Sequence, residues 1–154
     1  MMHLCSDIIK QLSGKTLVTA ESCTGGWIGK ELTAIAGSSE VYKGGIICYT
    51  NFVKEQILGV DRDILKQHGA VSQETAGEMA RGVRDLLKAD ISISVTGLAG
   101  PGGDEFGNPV GTVFIGYADV NRVFSRKFLF SGERDSVRNE AIEAALRIIL
   151  EVNI

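Results

Sequence analysis

The feature that most constrains this chain is a short apolar strand that runs directly into a glycine-containing turn and a helix. Residues 16–20 have strand composition, and residues 21–26 follow them with no connecting loop. Apolar residues then recur at helical spacing, at Trp27, Ile28, Leu32 and Ile35. A strand that enters a helix in this way is typical of α/β domains, in which ligands bind beyond the carboxyl ends of the strands.

The rest of the chain continues the alternation of strands and helices. Strands are predicted at 41–49, 91–96, 113–117 and 123–130, with a bulge or a close backbone approach at Gly44 and Gly45. Helices are predicted at 6–12, at 52–58 after an Asn51 cap, at 61–68, at 72–87, and from Asp135 or Ser136 onward. Since the last two strands form a hairpin, we expect an α/β fold class, namely a three-layer α/β/α sandwich with a mixed β-sheet.

Size and composition limit the classes of function. The 154 residues fit one domain, expected to span residues 1–154. The net charge of -3 disfavours a general nucleic-acid binder, and no apolar run approaches the roughly 20 residues that span a bilayer. The start of the chain lacks a secretory signal pattern. Cys5, Cys23 and Cys48 form no CxxC pair, and His3 and His68 lie far apart, so we expect a reduced, cytoplasmic protein without a metal or other cofactor.

Ser22 lies where the first strand ends and the helix begins, which makes it a candidate nucleophile. Backbone N–H groups at a helix start lack intrahelical partners, so the turn is expected to hold a phosphate or an oxyanion. Gly25 and Gly26 would permit close approach of a ligand. The alternative is that Ser22 or Thr24 merely caps the helix. Cys23 is a rival nucleophile, but no histidine lies near it in the sequence.

A serine hydroxyl needs a base to take its proton. Neither histidine is well placed, and His68 is expected to interact with the dipole at a helix end. Lys54 is the best candidate, because it follows Phe52 and Val53 directly and burial would lower its pKa. A solvated surface lysine is the competing interpretation, and the sequence pattern favours it.

Two further segments are candidates for ligand binding. Residues 97–111 form a glycine-rich loop between strands, which either turns its N–H groups toward an anion or is a mobile connector. Arg134 and Arg138 lie at the start of the last helix, where they suit either bidentate recognition of phosphate or surface pairing with nearby carboxylates.

These segments occur in an order that closely resembles the carboxy-terminal domain of the CinA family. The matching stretches are residues 19–26, 36–39, 44–45, 49–54, 68–72, 96–103, 109–112 and 132–138. They cover almost the whole chain. The larger amino-terminal domain of full-length family members has no counterpart here, so the chain resembles the single-domain form.

The resemblance implies an amidohydrolase that deamidates nicotinamide mononucleotide, a small-molecule nucleotide, in pyridine-nucleotide recycling. By position it implies Ser22 as the nucleophile, Lys54 as its base and Tyr49 as a hydroxyl that orients or relays the proton. It also implies a homo-oligomer, most simply a dimer. The expected substrate-binding residues are Thr24, Gly25, Gly26, Thr96, Gly97, Ala99, Gly100, Arg134 and Arg138.

One position departs from the family pattern. The family usually has a lysine before the proline of the second glycine segment, and Asn108 stands there in this chain. If that lysine helps to hold an anionic group, affinity or substrate preference would differ here. A different mechanism for the same enzyme is direct attack by water with Ser22 only binding. Two other functions are kept as hypotheses: a non-catalytic module that binds a phosphate-bearing ligand, and a protein-interaction domain.

Overall fold

The computed structural model of the protein describes residues 1–154 as one five-stranded mixed sheet with helices on both faces. The strands are β1 (Leu17–Glu21), β2 (Tyr42–Ile47), β3 (Ile91–Gly97), β4 (Thr112–Ala118) and β5 (Val123–Leu129). The helices are α1 (Met2–Gln11), α2 (Trp27–Thr33), α3 (Asn51–Gln56), α4 (Arg62–His68), α5 (Gln73–Leu87) and α6 (Arg134–Val152), with a 3-10 helical turn at Ser38–Glu40. None of the helices is both long and apolar enough to cross a membrane.

The strand order is β2-β1-β3-β4-β5. β1 pairs in parallel with both β2 and β3, whereas β4 is antiparallel to β3 and β5. The parallel part of the sheet therefore brings the carboxyl ends of β1, β2 and β3 to one edge, where ligands bind in such folds.

Two apolar layers cover the sheet. Leu17 of β1 packs into a core shared with α1, α2 and α6, while Val18 and Ala20 pack on the opposite face against α4 and α5. All five residues of β1 are buried, as expected for a parallel strand with helices on both sides. The predicted three-layer α/β/α sandwich with a mixed sheet is confirmed.

Three predicted helix boundaries are wrong. Helix α1 begins at Met2 rather than at residue 6. Thr50, not Asn51, caps α3, because the Thr50 hydroxyl accepts a hydrogen bond from the N–H of Val53. Helix α6 begins at Arg134 with Glu133 as its N-cap, one residue before Asp135 and two before Ser136.

The glycine pair in β2 has both features expected of it. Leu17 pairs with Tyr42 and Val18 pairs with Gly44, which leaves Lys43 as an extra residue and forms a bulge. A side chain at Gly45 would overlap the hydroxyl of Thr19. The two strands therefore approach closely beside the site.

Candidate active site

Ser22 and Lys54 meet at the carboxyl edge of the parallel strands. The amine nitrogen Nζ of Lys54 lies 2.9 Å from Oγ of Ser22, although 32 positions separate the two residues. Ser22 is 7% exposed and Lys54 is 1% exposed. The interpretation of Lys54 as a solvated surface lysine is therefore wrong.

Main-chain hydrogen bonds fix the position of Ser22. Its N–H donates to the carbonyl of Val95 in β3, and the N–H of Cys48 donates to the carbonyl of Glu21 in β1. The end of β1 is thus tied to its neighbours on both sides. Lys54 reaches this point from α3, which starts a few residues after β2 ends.

The amine of Lys54 contacts only neutral groups. Besides Ser22, Nζ donates to the carbonyl of Cys48 at 2.8 Å and to that of Tyr49 at 3.4 Å. Burial lowers the pKa of Lys54, and the nearby Cys48 and Cys23 act in the opposite direction with smaller effect. A neutral amine would donate to the two carbonyls and turn its lone pair to the Ser22 hydroxyl, which is the arrangement of a general base.

The carboxylate of Glu21 occupies the start of α2. It accepts hydrogen bonds from the Thr24 hydroxyl at 2.7 Å, from the N–H of Ile28 at 2.9 Å and from the N–H of Gly29 at 3.1 Å. The expectation that these helical N–H groups are open to a phosphate or an oxyanion is therefore wrong. The alternative that Ser22 or Thr24 caps the helix is also wrong, because Glu21 has that role.

Two N–H groups next to Ser22 remain available. The N–H of Gly25 donates to the carbonyl of Ser22, and that of Trp27 donates to the carbonyl of Thr24. The N–H groups of Cys23 and Thr24 have no acceptor in the chain. Both residues are buried, and unpaired buried N–H groups are rare in proteins. They are free to bind an oxyanion that forms beside Ser22.

A cleft of about 300 Å³ lies beside this turn. Its walls are formed by residues 23, 49, 70, 71, 97–100, 102 and 134. Of the predicted binding residues, Gly97, Ala99, Gly100 and Arg134 line the cleft, as does Tyr49. Its volume is at the small end of the range for ligand pockets.

The other predicted binding residues lie elsewhere. Thr24, Gly25, Gly26 and Arg138 line a second hollow of about 290 Å³, together with Trp27 and Lys30. Thr96 is buried, and its hydroxyl donates to the carbonyl of Ala70 at 2.7 Å, so it braces the wall of the first cleft. Apart from Thr96, the predicted binding residues are therefore divided between two hollows.

The two arginines lie one turn apart on α6 and contact different parts of the site. Arg134 donates to the carbonyl of Gly100 at 2.6 Å and to the Tyr49 hydroxyl at 3.2 Å. Arg138 donates to the carbonyl of Cys23 at 2.9 Å and lies over the ring of Trp27, in addition to a weak pair with the exposed Asp135. Surface ion pairing is therefore the minor part of what these arginines do.

Tyr49 differs from the expectation for it. Its backbone carbonyl accepts from both Lys54 and Ser22, each at 3.4 Å, whereas its hydroxyl is bonded to Arg134. The main chain of Tyr49, not its hydroxyl, is the part that contacts the serine and lysine. Tyr49 as a whole is 58% exposed, and it lines the cleft.

The structure also locates the other residues considered in the sequence analysis. Burial raises the pKa of the Cys23 thiol to about 11, so it is not a thiolate at neutral pH. His68 lies 3.5 Å from Glu74, and the side-chain hydroxyl of Ser22 contacts Lys54 and Tyr49 instead. Asn108 donates to the carbonyl of Val71 at 3.1 Å and thereby ties the glycine-rich loop to the cleft wall.

Comparison with known proteins adds a family and named relatives. A family model described as the CinA C-terminal domain matches residues 2–153. The nicotinamide-nucleotide amidohydrolase PncC of Escherichia coli (strain K12) is 44% identical over 152 residues, which are 97% of this chain and 92% of that protein. A putative competence-damage inducible protein of Caldanaerobacter subterraneus is 45% identical over 90% of this chain but only 34% of its own length. The chain thus spans about a third of the length of the first curated relatives it matches.

Solved structures share the same architecture. A competence or damage-inducible protein from Enterobacter asburiae superimposes with a TM-score of 0.97 at 35% identity, over 99% of this chain and 98% of that chain. A CinA superfamily protein from Escherichia coli gives 0.96 at 34% identity, over 98% and 89% of the two chains.

Proposed function

The chain belongs to the CinA C-terminal domain family, and we propose that it is an amidohydrolase that converts nicotinamide mononucleotide to nicotinate mononucleotide and ammonia. The name of the Escherichia coli relative, a nicotinamide-nucleotide amidohydrolase of nearly equal length, supports this class of reaction. The observation that carries the proposal is the 2.9 Å contact between Ser22 Oγ and the buried amine of Lys54. Burial of a lysine without a carboxylate partner costs free energy, so a purely structural role does not explain it.

The first chemical step is attack by Ser22 on the carboxamide carbon of the substrate. Neutral Lys54 takes the hydroxyl proton while the carbonyls of Cys48 and Tyr49 hold its amine in place. The carbonyl oxygen of the substrate becomes an oxyanion. The free N–H groups of Cys23 and Thr24 stabilise it, since both belong to the turn that carries the serine.

The second step breaks the carbon–nitrogen bond. The Lys54 ammonium gives its proton to the leaving nitrogen, ammonia departs, and an acyl ester on Ser22 remains. Neutral Lys54 then takes a proton from a water molecule that attacks the ester. The ester oxygen takes the proton back, so that nicotinate mononucleotide leaves and Ser22 is regenerated. The pyridinium ring of the substrate withdraws electrons and favours both attacks.

Substrate binding is assigned to the cleft beside the turn. Its apolar wall, Ala70, Val71, Leu98 and Ala99, suits a pyridine ring. Arg134 uses only part of its five N–H groups on Gly100 and Tyr49, and the remainder can bind the phosphate of the nucleotide. In this assignment the Tyr49 hydroxyl orients Arg134 and does not relay the proton.

The assembly state is a separate proposal. The family resemblance supports a homodimer, and sedimentation equilibrium measures it directly. A mass of one chain at micromolar concentration would contradict a dimer.

The experiment that tests the function is an ammonia-release screen over four amides: nicotinamide mononucleotide, nicotinamide riboside, nicotinamide and the nicotinamide dinucleotide. We expect turnover of the mononucleotide to exceed that of the riboside, because only the former carries the phosphate for Arg134. Tight binding of the mononucleotide without ammonia release from any of the four would instead favour a non-catalytic binding module.

A further inference from the structure

Glu21 is a buried carboxylate directly before the proposed nucleophile. It is 2% exposed, and all three of its hydrogen bonds go to the turn after Ser22 and to the start of α2. No lysine, arginine or histidine lies within ion-pair distance of it. The three donors at the start of α2 are its hydrogen-bond partners.

The hydrogen bonds of the Glu21 carboxylate connect the turn to the start of α2. The main chain already holds the turn at Ser22, whose N–H donates to Val95, and Glu21 adds a second attachment at Thr24. The N–H groups of Cys23 and Thr24 lie between the two attachments. Neither has an acceptor in the chain, so their direction is fixed by the turn and not by a hydrogen bond of their own.

We propose that Glu21 is a positioning residue for the hydrolysis, which holds the Ser22–Gly26 turn so that the N–H groups of Cys23 and Thr24 face the oxyanion. This inference rests on the proposed function, because it concerns the same transition state. Donors that are already oriented stabilise the developing charge without reorganisation, and the loss of one such donor costs on the order of 10²–10³ in kcat. Glu21 also fills the start of α2, so the substrate phosphate has to bind elsewhere.

The first test is the kinetics of Glu21→Gln, which keeps the shape and removes the charge. An amide can accept from only one side and would present an NH₂ group to a donor, so the turn loses part of its hold. We expect kcat to fall about tenfold to a hundredfold and KM to stay within about twofold. A loss of stability in Glu21→Gln without a fall in kcat would show that Glu21 is only a helix cap.

Tyr42→Phe is the matched control. It removes the 2.7 Å hydrogen bond between Tyr42 and Thr19, which is a half-buried polar contact outside the Ser22–Gly26 turn. We expect it to lower the melting temperature while kcat stays at the wild-type value. A fall in kcat equal to that of Glu21→Gln would mean that any local loosening has the same effect, and would overturn the inference.

The second test compares amide hydrogen exchange in the wild-type protein and in Glu21→Gln, both without substrate. In Glu21→Gln the N–H groups of Ile28 and Gly29 should exchange faster, while those in β3 stay protected. If Glu21→Gln does not fold, Thr24→Val removes one of the three bonds and should lower kcat in the same direction, by less. Wild-type kcat in that variant would overturn the inference.

The two failures can be told apart. A wild-type protein that releases no ammonia contradicts the proposed function, and the positioning role falls with it. An active wild-type protein with an equally active Glu21→Gln variant contradicts the positioning role alone.

Discussion

The two ends of the site are built differently. At the bond-making end, Ser22 and Lys54 are both buried and each has its hydrogen bonds within the protein. At the ligand end, Tyr49 is 58% exposed and Arg134 keeps N–H groups without a partner. At the first end the serine and lysine are already in contact, and the donors left free are the main-chain N–H groups of Cys23 and Thr24. At the second end the free donors belong to a side chain, that of Arg134.

This difference separates two kinds of effect. A group whose position is fixed before the substrate arrives contributes most in the transition state, so its loss should lower kcat. A group that binds a distant part of the substrate contributes equally before and during reaction, so its loss should raise KM. Substitutions at the two ends of the site should therefore change different kinetic constants.

Ser22→Ala should have the largest effect. Without the hydroxyl no acyl ester can form, and we expect ammonia release from nicotinamide mononucleotide to fall on the order of 10⁴-fold or more. Circular dichroism should show an unchanged fold, because the change removes one atom. Activity within tenfold of wild type would mean that water attacks directly and that Ser22 only binds.

Lys54→Met should have the next largest effect. Methionine fills a similar volume but cannot take a proton, so we expect kcat to fall on the order of 10³-fold with KM little changed. A rise in KM with kcat intact would place Lys54 among the binding groups and would remove the division between the two ends.

The pH dependence of kcat should report the same lysine. Since the neutral amine is the base and burial lowers its pKa, log kcat should rise with pH with a slope of one and level off below the usual lysine value of 10.5. A rate that falls as pH rises over this range would contradict the role of Lys54.

Stability should change with pH in the same window. Between the lowered pKa in the folded protein and 10.5, the unfolded chain holds a proton on Lys54 that the folded chain does not. Raising the pH therefore stabilises the fold, and the gain is complete above 10.5. Denaturation of wild type and of Lys54→Met at several pH values measures it, and the variant should lack this component.

Arg134→Ala tests the ligand end. We expect KM for nicotinamide mononucleotide to rise about tenfold or more with kcat changed less, because a charge-assisted bond to phosphate is lost. The preference over nicotinamide riboside should shrink by the same factor. Arg126→Ala is the control, since Arg126 of β5 forms a surface ion pair with Glu151 of α6. The KM of this variant should equal that of the wild type.

Asn108→Ala should have the smallest effect. It removes the bonds from Asn108 to Val71 and Asp104 that hold the glycine-rich loop against the cleft. We expect a rise in KM of a few fold, because loop ordering then has to occur on binding. A large fall in kcat would show that this loop belongs to the bond-making end.

The sequence pattern predicted the architecture because the pattern is local. Alternating strands and helices, a hairpin near the end and the glycine pair at 44–45 each depend on neighbours in the chain. The nucleophile could be located for the same reason, since Ser22 follows the strand that carries it. The residues alone favour a surface position for Lys54, and only the family resemblance indicates that it is the base for Ser22.

What the pattern missed depends on contacts between distant segments. The capping role of Glu21 depends on the direction of its side chain, because Glu21 ends β1 and lies six residues before the first residue of α2. The split of Arg134 and Arg138 between two hollows follows from a single turn of α6, which sequence spacing does not resolve. The role of Tyr49 depends on which of its atoms faces Lys54.

The most direct measurement follows the bond to Ser22 itself. The protein is mixed with nicotinamide mononucleotide, quenched at successive times and digested for peptide mass analysis, with a parallel reaction in hydroxylamine. Attack by Ser22 with Lys54 as its base predicts an acyl adduct on the peptide that contains Ser22, or a hydroxamate in place of part of the acid product. Full turnover with neither an adduct nor a hydroxamate would contradict it.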